Sequence, residues 1–192
     1  MATHGYLRRN LKLVSQGRPV TVIKAVAGTT EDYYGTLLGS CMSKSVLLAR
    51  PHTFIVAEMK PFLEESGFSI SKLGNLELLS TAIKGTSGAV ISLAISSSIA
   101  ESADIVFQQL RLTSPRTPVL FASMLGFDQA RPALERIAKL VGMQATLAGV
   151  DSANDVTVQL GRQETFLYFN KDDLANPGRR PIAARLIQRH FR

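Results

Sequence analysis

From Ala89 to Phe169 the sequence alternates strand-length apolar runs with helix-length amphipathic ones, and that alternation restricts the folds open to it. "AVISLAI" reads as a strand buried on both faces. "SIAESADIVFQQLRL" reads as a helix, with Ile99, Ala103, Val106 and Leu110 on one stripe and Glu101, Asp104 and Gln108 off it. "TPVLFASML" is a second strand. "DQARPALERIAKLVG" is the clearest helix: Asp128 serves as N-cap, Pro132 lies near the first turn, and Leu134, Ile137, Ala138 and Val141 follow helical spacing up to a C-capping Gly142. "MQATLAGV", "NDVTVQLG" and "TFLYF" then read as strands. The result is β-α-β-α-β-β-β, an α/β layer whose helices return the chain to one sheet.

The first third has another texture. "RPVTVIKAVAG", "YYGTLLG", "SVLLARP" and "HTFIVAEM" are β-rich runs at near-regular spacing, which predicts a small antiparallel β-barrel or sheet. "KPFLEESGF" predicts one helical turn ending at Gly67. The fold class expected is therefore α+β: a β-rich barrel-like domain over 1–70, an α/β domain over 85–192, and a soft boundary within 66–88.

The chemistry on offer is sparse. Cys41 is the lone cysteine, so no intramolecular disulfide or cysteine metal cluster forms. It reads as a small residue beside a turn, not as a nucleophile paired with His52. His4, His52 and His190 have no metal-ligand spacing. No GxSxG or GxGxxG occurs, and "GTSGA" precedes a strand where a phosphate loop would follow one. The acidic neighbours Glu31–Asp32, Glu64–Glu65 and Asp172–Asp173 read as solvated turns. Neither a cofactor nor a metal is expected. With no secretory signal pattern at the start, a cytoplasmic location is.

The charge is informative. Net charge is +7 with a pI near 9.9, which favours acidic partners. "NPGRRPIAARLIQRHFR" concentrates Arg179, Arg180, Arg185, Arg189 and Arg192 in the last segment. Pro181 suits the first position of a helix, on which Arg185, Arg189 and Arg192 share a face and Ile182, Leu186, Ile187 and Phe191 cover a neighbouring one.

"YYGTLLGSCMSKSVLLARP" resembles the N-terminal barrel of bacterial flagellar-brake proteins of the PilZ type, over roughly residues 13–51. Tyr33, Leu37, Leu38, Gly39, Lys44, Ser45, Val46, Leu47, Leu48 and Pro51 carry the likeness, with Gly17 at its opening. The resemblance implies a barrel. The cyclic-dinucleotide motifs of that family are not intact, because Arg180 and Arg185 are one residue too far apart for RxxxR and Ser69 stands where an acid or amide belongs.

The function expected is a non-enzymatic binding, assembly or regulatory module, part of a larger bacterial or phage machine. Its five C-terminal arginines engage an acidic protein or mediate self-assembly. Nucleic acid and an anionic membrane surface remain open as partners, and cyclic dinucleotide is disfavoured. An enzyme is the further alternative, with its pocket around Ser96–Ser98 and Gly126–Asp128, at the carboxyl ends of two strands.

Overall fold

The computed structural model describes residues 13–15, 18–20, 44–155 and 159–192. The chain divides into two units between Cys41 and Met42. In the first, β1 (Leu13–Ser15) pairs antiparallel with β2 (Arg18–Val20). The strand expected to run on to Gly28, the run "YYGTLLG" and the Cys41 turn lie outside the described residues.

The second unit is built on one sheet. Its strands are β3 (Lys44–Arg50), β4 (Phe68–Lys72), β5 (Thr86–Ser92), β6 (Val119–Ser123), β7 (Thr146–Ala148) and β8 (Thr165–Asn170). They lie in the order β4-β3-β5-β6-β8-β7, and every pairing is parallel. Ser66–Gly88 falls within this unit and supplies its edge strand β4.

This overturns the antiparallel barrel, and with it the flagellar-brake likeness. Lys44, Ser45, Val46, Leu47 and Leu48, which carried that likeness, form parallel ladders with β4 on one side and β5 on the other. Among the described residues the antiparallel pairing is confined to β1 and β2. "HTFIVAEM" is also not a strand: a π-helical turn, Ile55–Met59, leads into α1 (Lys60–Glu65). A parallel neighbour requires a crossover, and this segment is the crossover from β3 to β4. Its Ile55, Met59, Phe62 and Leu63 are buried while Glu58 and Glu64 face out, so helical spacing overrides its β-branched content.

The strands alternate between two cores. Val46, Leu48, Val90, Leu120, Ala122, Leu167 and Phe169 face α1, α5 (Lys171–Ala175) and α6 (Arg180–His190). Leu47, Ala49, Ala89, Ile91, Val119, Phe121, Phe166 and Tyr168 face α2 (Leu79–Ala82), α3 (Ala103–Thr113) and α4 (Phe127–Leu140). Both faces of each central strand are therefore covered, which explains why these runs are continuously apolar. Phe107, Phe121 and Phe166 form a cluster with centroids 5.0–5.5 Å apart, Phe107 meeting Phe166 edge-on and the other two pairs tilted. The N-cap of α4 is Gly126 rather than Asp128, with its N–H donating to Gln129 Oε1 at 3.2 Å.

The end of α6 is seated on bare backbone. A Cβ on Gly88 in β5 would lie 2.2 Å from the Phe191 ring, and Phe191 itself packs edge-on against Phe68 at 5.9 Å. Gly88→Ala should therefore expel that ring and destabilise the unit by about 1–3 kcal/mol, as overpacking does. Urea unfolding checks this: an unchanged midpoint would show that the ring does not depend on the missing Cβ.

Candidate functional site

Strand order reverses between β3 and β5. In open α/β sheets, ligands enter the crevice outside the carboxyl ends of the strands at such a switch point. Here the crevice is a cavity of about 500 Å³. Pro51, His52 and Thr53 line it after β3, Lys72 ends β4 beside it, and Ser96, Ser97 and Ser98 line it after β5. Val56 and Ala57 of the π-turn complete the wall.

Arg50 organises this end. It closes β3 and is 3% exposed. Its Nε–H donates to the Glu101 carbonyl at 2.8 Å, and its terminal nitrogens donate to the carbonyls of Ser92 at 3.0 Å, Ile95 at 3.0 Å and Ala94. Burial lowers its pKa, and the charge of Asp104 opposes that shift. Burying a cation costs several kcal/mol. Four charge-assisted bonds of about 1.5–3 kcal/mol each outweigh that cost, so the charge stays inside. The loop after β5 is thus drawn onto one guanidinium. Ser97 adds a second tie, with its hydroxyl donating to the Pro51 carbonyl while the Ser98 N–H reaches the same oxygen.

A second cavity, about 340 Å³, opens farther along the same end. Phe127, Asp128 and Arg131 line it from α4, and Tyr168 and Asn170 from β8. Arg179 borders it, paired with both oxygens of Asp151 at 2.8 and 2.9 Å and with Asp173 at 2.8 Å. The Arg179 hydrogen bonds hold the Asp151 carboxyl below its ordinary pKa, and both aspartates raise that of Arg179. Tyr168 donates to the Leu125 carbonyl at 2.6 Å, and burial pushes its phenol up to about 12. The polar groups of this cavity thus already pair with one another.

The opposite, amino end of the sheet receives the end of α6. His190 is buried: the Gly161 N–H donates to its Nδ1 at 3.1 Å, so Nε2 carries the proton that it shares with the Val119 carbonyl at 3.1 Å. Arg111 is the second arginine held by carbonyls, those of Pro115, Thr117 and Gln163, with its guanidinium over the Phe107 ring. Burial lowers its pKa to about 10.

The five arginines of the C-terminal segment separate into two groups. Arg179 is committed to the aspartates. Arg180 pairs with Glu65, donates to the Leu174 carbonyl at 2.8 Å and covers the Phe62 ring. Arg185, Arg189 and Arg192 are exposed, while Ala183, Leu186, Ile187, His190 and Phe191 on the other side of the helix are buried. The sequence reading missed Arg50 and Arg111. For Arg50 the signal was there: a lone charge closing the apolar run "SVLLARP". Among the described residues no cluster of metal-ligating side chains occurs, and no helix is long and apolar enough to cross a membrane.

No family model matches the sequence, and no curated protein matches it. Solved structures do. One is the receiver domain of a sensor histidine kinase from Pseudomonas aeruginosa, with a TM-score of 0.48 and 11% identity over 78% of this chain and 98% of that one. Another is a response regulator receiver protein from Sinorhizobium medicae, with a TM-score of 0.36 and 15% identity over 47% of this chain and 73% of that one. The all-parallel strand order and the two helix layers define the fold by themselves.

Two outcomes follow from the buried groups. Arg50→Met should cost at least about 1–3 kcal/mol, since it leaves buried carbonyls without donors, and Arg50→Lys should not restore it because an ammonium lacks the planar fork. Chemical denaturation of the three proteins reads this directly. For His190, burial lowers the folded-state pKa from 6.5 to about 4. The unfolded chain then takes up the proton first as pH falls, so stability present above pH 6.5 is lost towards pH 4, by at most about 3 kcal/mol. His190→Gln should flatten the slope of stability against pH in that window; an unchanged slope would assign it to other groups.

Proposed function

We propose that this chain is a non-enzymatic binding or regulatory module that holds an acidic protein partner against the basic end of its sheet. One observation carries this reading: α6 docks through its apolar side and still presents Arg185, Arg189 and Arg192 to solvent. Exposed Lys44, Lys84, Arg116 and Arg162 precede or open β3, β5, β6 and β8, which puts them at the same, amino end of the parallel sheet. Half-buried Glu164 interrupts this row, but a surface of predominantly one sign steers an oppositely charged one and raises its rate of association. Arg179 and Arg180 belong to this reading as anchors of the helix, because their charges are met within the chain. A cytoplasmic setting is part of the proposal, on the lone Cys41.

The test is a binding titration against poly-glutamate and against a fluorescent oligonucleotide, using the wild type and the Arg185→Gln/Arg189→Gln/Arg192→Gln variant. Poly-glutamate binding should fall at least about tenfold in the variant, with the unfolding midpoint unchanged because these side chains are exposed. Equal binding by both proteins would remove the arginines from the interface. Oligonucleotide binding that survives near-physiological salt and is lost in the variant would reassign the partner to nucleic acid.

A further inference from the structure

The crevice at the switch point has a lining unlike the rest of the carboxyl end. Lys72 is its cation, His52 its imidazole, and Thr53, Ser96, Ser97 and Ser98 supply four hydroxyls; no carboxylate lines it. Among the described residues, the hydroxyls of Thr53, Ser96 and Ser98 have no protein partner. The Phe54 N–H donates to His52 Nδ1 at 3.2 Å, which leaves Nε2–H as a donor. Beside the crevice, the buried Arg50 guanidinium is held by carbonyl dipoles and interacts with the charge of Asp104, so Lys72 is the cation that lines the site itself. The loop bearing the serines is already fixed by Arg50 and by the Ser97 and Ser98 bonds to Pro51, so a ligand would meet donors held in place.

We infer that this crevice is a binding site for a small phosphate-bearing molecule, with Lys72 as the ion-pairing group and the Thr53, Ser96 and Ser98 hydroxyls with His52 as hydrogen-bond donors to its oxygens. The site is separate from the basic end proposed to hold the partner, which lies at the opposite, amino end of the sheet.

The experiment is an amide NMR titration of the full chain with inorganic phosphate, against sodium chloride at matched ionic strength. The wild type should show saturable shifts at the amides of Thr53 and Ser96–Ser98. Lys72→Gln should weaken the apparent affinity at least about tenfold. Ser96→Asp, which puts a like charge on the rim, should abolish the shifts while the rest of the spectrum stays native. The Arg185→Gln/Arg189→Gln/Arg192→Gln variant should bind as the wild type does. No saturable shift at these amides, the same affinity in Lys72→Gln as in the wild type, or shifts confined to α6 and lost with its arginines would each overturn the assignment.

Discussion

Arg50 is the interaction on which the carboxyl end depends. Parallel sheets leave the carbonyls and loops of that end unpaired by the ladder, and something must gather them. Here a single planar cation takes four carbonyl oxygens spread from Ser92 to Glu101. The cation's desolvation penalty is met by these four carbonyl acceptors, and the geometry suits a guanidinium far better than an ammonium. The loop after β5 is therefore a fixed wall, and its serines stand where the sheet's strand order opens a crevice. Arg111 repeats the device at the other end, drawing the loops before β6 and β8 together.

The second constraint is the closing of the chain on itself. Phe191 lies on Gly88, His190 joins β6 to the loop at Gly161, and Arg179 and Arg180 tie the start of α6 to Asp151, Asp173 and Glu65. A terminal basic helix free to insert into a partner would need none of these ties. A docked helix with a charged outer row is instead a rigid part of the surface. Rigid charge complementarity favours fast, specific encounter over the folding-on-binding of a loose tail.

Much of the second half was legible in the sequence. Buried strands read as unbroken apolar runs, and α3 and α4 follow helical spacing closely enough that Val106, Leu110, Leu134, Ile137 and Ala138 prove buried and Ala103 and Val141 half-buried, while Ile99 is buried in the segment that precedes α3. The first third was misread for a physical reason. "SVLLARP" suits a barrel strand and a central parallel strand equally well, and the choice between them lies in the crossover that follows. That crossover, "HTFIVAEM", has the β-branched content of a strand and the burial of a helix. Of the site, the five arginines were visible as a cluster but not as two groups, because Asp151 and Glu65 reach them from distant parts of the chain. Arg50 was visible as a charge in an apolar run, whereas its carbonyl partners are known only once the sheet is assembled.

Amide hydrogen exchange over the loop after β5 tests the role of Arg50 most directly. With the guanidinium in place, the amides of Leu93, Ser98 and Ile99, which donate to the Ala122 carbonyl, the Pro51 carbonyl and Ser97 Oγ, should exchange nearly as slowly as β5 itself. In Arg50→Lys their protection should collapse while that of α3 and α4 persists. Equal protection in the two proteins would mean that the loop holds itself and that the account of this end is wrong.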